Sequence, residues 1–243
     1  MNTHEKIQSI PFEDRVALEE LFSSFIFEDT FGYTLFGNKP ISLGGNFRVT
    51  PWANVLAGCR CGGAFWKKWE IWEKYQDQFL SSKYLLISEP HFLGKSDLDE
   101  LILLINKRAF LKSLENHLIT FENILKQKII PEEFLGEIEN GTLSFFDSIQ
   151  KNETLLGILL GYGKHNAEMF YQRKKIFKFD CLTFFGDHYY SPLVVNDVFF
   201  VADQNHPETK YLRSKYTQLR GKISEIYAKG DLLTITLGQF VAD

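Results

Sequence analysis

The sequence predicts an α+β fold, a small mixed or mostly antiparallel sheet packed with several amphipathic helices, on three observations. Apolar residues recur at helical spacing in several segments, short β-branched and aromatic runs lie between them, and no internal repeat, low-complexity tract or Pro/Ser-rich linker divides the chain. One α+β domain over residues 1–243 is therefore expected. With 44% hydrophobic and 24% charged residues, the chain can bury a large core without metal or disulfide. Its 23 Phe, against 2 Met and 4 Trp, predict that Phe fills that core.

The elements follow in order. From Ile10 to Asp29 the apolar positions Val16, Leu18, Leu21, Phe22, Phe25 and Ile26 keep the helical period, with Ser9 as N-cap and Pro11 in the first turn. Tyr33 to Phe36 and Pro40 to Leu43 flank Gly37-Asn38-Lys39 and read as a short hairpin. Residues 44–64 are glycine-rich loop. Ala64 to Leu80 is a helix whose Trp66, Trp69 and Trp72 form a core stripe. Tyr84 to Glu89 and Glu100 to Ile105 read as paired strands. Asn106 caps a helix over 107–128, and Pro131 opens another.

Thr142 to Ile149 reads as a short helix and Glu153 to Phe177 as a long one. The latter holds Gly157, Gly161 and Gly163, each costing about 1 kcal/mol against alanine, which points to close helix packing. Ser191 to Asp203 reads as a buried strand, Pro207 to Lys229 as a helix stopped by Gly230, and Leu232 to Leu237 as a last strand.

A formal net charge of -4 disfavours nucleic acid as a partner. The basic series Lys210, Arg213, Lys215, Arg220 and Lys222 reads as solvated helix surface. No stretch approaches the roughly 18 apolar residues of a membrane helix, and no apolar leader is visible, so no membrane partner and a cytoplasmic location are expected, with export by a specialised secretion system left open. Three cysteines fit a reducing compartment.

Candidate chemistry is sparse. Cys59-Arg60-Cys61 has a single residue between its thiols, too short for a zinc knuckle, so no metal and no cofactor is expected. A nucleophilic Cys59 or Cys61, with Arg60 favouring the thiolate and His165, His188 or His206 as base, is the catalytic candidate set. Gly161-Tyr-Gly163-Lys164-His165-Asn166 resembles loops in which backbone amides and a cation meet an anion, although it lacks the Walker spacing. Gly37, Lys39, Gly44, Gly45 and Arg48, with Gly161, Gly163 and Lys164, form the ligand-binding candidates. Asp187-His188 and Asp203 to Glu208 bracket the strand read at 191–203 and should stand over about 30 Å apart if it is extended.

Phe31 to Pro40, Leu159 to Asn166 and Pro207 to Lys210 together resemble a group of proteins from intracellular bacteria of the chlamydial type that has no assigned activity. The resemblance covers most of the chain, implies a role in a bacterium living inside a host cell, and carries over no catalytic residue. The leading functional expectation is a partner- or ligand-binding protein acting through the glycine-aromatic loops. A cysteine/histidine-dependent hydrolase or transferase is the alternative, a structural component of an assembly a third, and substrate, partner and oligomeric state are not legible.

Overall fold

Residues 84–106 fold as their β-forming runs predict. In the computed structural model, which describes residues 2–44, 62–90, 100–176, 183–185 and 194–242, strand β2 (Tyr84–Pro90) pairs antiparallel with β3 (Glu100–Asn106), Leu86 opposite Leu104. On the other edge of β3 lies β1 (Ile41–Gly44), also antiparallel, Ile41 opposite Ile105. The order β1-β3-β2 makes a small antiparallel sheet packed with helices, an α+β fold.

The two-residue alternation of β3 divides the core. Ile102 and Leu104 face one cluster with Tyr84 and Leu86, while Leu101, Leu103 and Ile105 face a second with Ile41. The first cluster is aromatic and is built by α1 (Thr3–Ser9), α2 (Phe12–Ser23, continued by a π turn at Ser24–Glu28), α3 (Phe31–Leu35) and α4 (Gly62–Tyr75, continued by a 3-10 turn at Gln76–Phe79). Trp66, Trp69 and Trp72 are buried there, and Phe22 meets Trp72 edge-on at 5.1 Å. Each such ring contributes about 2 kcal/mol by burial. The second cluster is filled from α5 (Lys107–Asn116), α6 (Leu118–Leu125), α7 (Pro131–Glu139), α8 (Phe145–Ser148), α9 (Glu153–Leu159) and the start of α10 (Lys164–Ile176). A short pair, β4 (Thr183–Phe185) with β5 (Phe200–Ala202), precedes α11 (Pro207–Tyr227) and α12 (Leu232–Val241).

Local cap signals act as predicted. Asn106 accepts a hydrogen bond from the Ala109 N–H at 3.0 Å, and Pro131 and Pro207 occupy first-turn positions.

Several expectations are corrected. The hairpin at 33–43 is half helix: Phe31 stacks on Phe25 at 4.4 Å and the fully buried Tyr33 hydroxyl donates to the Asn196 carbonyl at 2.9 Å. A short apolar run does not distinguish strand from buried helix, and here packing on all sides selects helix. Residues 107–128 are two helices broken at His117, which closes α5 and opens α6. The long helix at 153–177 is broken by Gly161 and Gly163, at φ +76 and +84, whereas Gly157 does provide close packing, against Ala167. Of the strand at 191–203 only Phe200–Ala202 is extended, residues 191–193 lying outside the described ones.

Leu232 to Leu237 is helical, since Leu233, Thr236, Leu237 and Phe240 are buried at helical spacing and the Asp231 side chain caps the Thr234 N–H at 2.7 Å. Ser9 ends α1 while Pro11 is the N-cap of α2, and Ala228 closes α11, with Gly230 outside the left-handed region.

Candidate functional site

Three segments that the chain keeps far apart meet beside β1. Gly37 follows α3 and lies against α11, where a Cβ would collide with the Leu219 side chain and stand 2.6 Å from the Tyr33 carbonyl oxygen. This close approach seats the turn on α11, whose Tyr211, Lys215, Gln218 and Lys222 share one face at intervals of four, three and four residues. Between turn and helix lies an open groove of about 490 Å³ bordered by Asn38, Tyr211, Ser214, Lys215, Gln218 and Lys222, with no carboxylate among the described residues lining it. Tyr211 is 66% exposed at its rim. Neither Lys215 nor Lys222 has an ion pair among the described residues. Desolvation holds the Lys215 amine below the ordinary lysine range.

Lys39 lies behind this groove with only 1% of its surface exposed. Its Nζ donates to the Ile41 carbonyl and, at 3.1 Å, to Ser42 Oγ. Ser42 Oγ also donates to the Thr30 carbonyl at 3.0 Å and shares a hydrogen bond with Thr34 Oγ1 at 2.8 Å. No carboxylate pairs with Lys39 among the described residues. Burial pushes its amine down to about 7, and the charge of Lys215 acts in the same direction. Gly161 covers the stem: a Cβ there would stand 3.5 Å from Lys39 Cγ and collide with the Tyr216 hydroxyl, which donates to the Gly161 carbonyl at 2.7 Å.

The anion-binding reading of Gly161 to Asn166 has an internal answer. Glu208, in the first turn of α11, accepts from the N–H groups of Lys164 at 3.1 Å and His165 at 2.9 Å, capping α10. Gly163 admits this carboxylate, since a Cβ would lie 2.5 Å from Glu208 Cδ. Asn166, 1% exposed, ties the same segments by accepting from the Asp203 N–H and the Thr209 hydroxyl, both at 3.0 Å.

His165 Nε2 lies 3.2 Å from Asp203 Oδ2, and its ring stacks on His206 at 3.6 Å between centroids. His206 Nδ1 accepts from the Glu208 N–H at 3.3 Å as the cap of α11. The Asn205 N–H, and then His165, hold the Asp203 carboxyl below the usual range. Burial pushes the nearby His117 imidazole down.

The sequence-predicted residues thus divide. Gly37 lines the groove and Gly161 packs on the buried Lys39 stem, whereas Gly163, Lys164 and His165 belong to the Glu208 cluster, Lys164 pairing with Glu168 at 3.6 Å. Gly44 packs against Asp29 and Phe31. Cys59, Cys61, His188, Gly45 and Arg48 lie outside the described residues. The sequence reading takes Lys215 and Lys222 as solvated surface and singles out no role for Tyr211, although the three share one face of a single helix. Among the described residues no three His, Cys, Asp or Glu side chains are placed to hold a metal, and no helix is long and apolar enough to cross a membrane. No protein-family model, curated protein or solved structure matches the chain.

Proposed function

We propose that the protein binds a small anionic ligand in the groove between the Gly37 turn and α11. One observation carries this reading: Lys215 and Lys222 border a concave surface with no carboxylate among its described residues, while elsewhere Lys68, Lys74, Lys107 and Lys164 each have an acidic partner. Unneutralised cations in a partly desolvated groove attract an anion more strongly than the same cations on an open surface. Asn38, Ser214 and Gln218 supply further polar contacts and Tyr211 an apolar face. Calorimetric titration with benzenedisulfonate, a permanently charged probe, tests the reading. The K215A/K222A double variant is expected to bind at least about tenfold more weakly, about 1.4 kcal/mol, and unchanged affinity would remove the groove from consideration.

The hydrolase or transferase alternative draws on the Asp203–His165 pair, since a carboxylate that orients an imidazole is how a base is held beside a nucleophile. Its test is the rate at which iodoacetamide modifies Cys59 and Cys61. A rate unaffected by His165→Ala speaks against a coupled thiol.

A further inference from the structure

The Lys39 site carries an inference that rests on the anion-binding reading and goes beyond it. A lysine ammonium has three N–H donors and almost never stands fully buried without an anionic partner. Here Nζ has two acceptors, the Ile41 carbonyl and Ser42 Oγ, and no carboxylate among the described residues. Two acceptors match the two N–H bonds of a neutral amine. An ammonium would leave its third N–H without an acceptor among the described residues, at a side chain only 1% exposed whose stem Gly161 covers.

The elements packed around Lys39 contribute these other titratable groups: Lys215 and Tyr216 from α11, Tyr33 from α3, Tyr162 beside Gly161, and Asp29 ahead of α3, whose carboxylate stands at Gly44 of β1. The three phenols are kept neutral by burial, that of Tyr162 pushed up to about 12 and those of Tyr33 and Tyr216 also raised. After burial itself, the charge that pushes the Lys39 amine down is that of Lys215, which also borders the groove. An anion seated on Lys215 cancels that repulsion and adds an attraction of its own.

We propose that the groove takes up its anion together with a proton, and that Lys39 is the proton's acceptor. The proton comes from solvent, no covalent bond to the ligand forms, and the pair leaves together when the anion dissociates. Reciprocity requires that affinity for the anion fall as pH rises between the Lys39 value of the free protein and that of the complex. The limiting slope is about tenfold per pH unit for one proton.

The experiment is titration with benzenedisulfonate, which does not itself titrate in this range, about one pH unit above the free Lys39 value. It is run in two buffers of different ionisation enthalpy, alongside NMR titration of lysine labelled with carbon-13 at Cε. The expected result is heat that depends on the buffer and corresponds to uptake of up to one proton, lost in Lys39→Met while binding persists. In the same expectation, one lysine resonance titrates below the others in the free protein and moves up with the probe.

Methionine has similar length and no charge, so the variant should keep the fold. Binding without buffer dependence, or uptake that persists in Lys39→Met, overturns the proton coupling and leaves the groove reading intact. No binding to the wild-type protein, with the low-titrating lysine still present, overturns the groove reading and the coupling with it. A Lys39 resonance that titrates with the exposed lysines overturns the coupling alone.

Discussion

At the Gly161–Gly163 connection, the exposed N–H groups at the start of α10 are met by Glu208 at 2.9 and 3.1 Å. At the Gly37 turn, Lys215 and Lys222 border a groove with no carboxylate among its described residues, and Lys39 is buried with no anionic partner among the described residues. Both regions use glycine to bring backbone close to α11, yet one is electrostatically closed and the other open. Closed charge serves architecture, since Glu208 ties α10 to α11, and a ligand entering there would have to displace a capping carboxylate. Open charge has no carboxylate partner among the described residues, Lys215 meeting only the Tyr216 ring at 5.1 Å, so an anion from outside the chain would find these cations unneutralised.

The change that breaks the comparison most forcefully is Gly161→Val, because Gly161 touches both regions. A β-branched residue at φ +76 is strained, and its Cβ collides with the Tyr216 hydroxyl that bonds the Gly161 carbonyl. A loss of about 4 kcal/mol is expected from strain and overpacking together, read from urea unfolding.

Next comes Lys39→Met, which removes the uncompensated amine. Below its folded value of about 7 both folded and unfolded chains hold the proton, and the cost of the buried charge is fully present. As pH rises toward the ordinary 10.5, the folded chain has released the proton while the unfolded chain still holds it, so wild-type stability climbs, by at most about 1.4 kcal/mol per unit. The variant should therefore be the more stable protein by about 2 kcal/mol in mild acid, with the gap closing within about two pH units above the Lys39 value and reversing beyond. Parallel pH–stability curves for the two proteins would refute this.

Glu208→Ala opens the closed region. Losing the acceptor for Lys164 and His165 should cost about 1 kcal/mol and speed hydrogen exchange at those two amides, with Glu208→Gln intermediate. Smallest in stability is Lys222→Ala, within about 0.5 kcal/mol of wild type. That variant sharpens the contrast, since it should weaken benzenedisulfonate binding while leaving unfolding unchanged.

Legibility followed the range over which the forces act. The pairing of β2 with β3, the Trp66, Trp69 and Trp72 stripe, the Asn106 cap and the first-turn Pro131 and Pro207 all depend on neighbours within a turn or a short connection, and for these sequence and structure agree. The helix at Phe31–Leu35 and the α-helical register of Leu232–Val241 depend on which surfaces cover them, and both were read as strand. The break at His117 interrupts an apolar period that continues on both sides, so periodicity alone could not locate it. In the site, Gly37, Lys39 and Gly161 stood out by residue type, while Lys215 and Lys222 looked like solvated surface.

Residue order alone established an α+β protein with a Phe-rich core and a small sheet, because hydrophobic period, caps and turns are local properties. It could not say which lysine loses its water. That was settled by assembly: α3, Gly161 and α11 close over Lys39 from positions up to 177 residues distant, Lys39 to Tyr216. The free energy of a charge depends on the dielectric and partners that such distant segments bring to it.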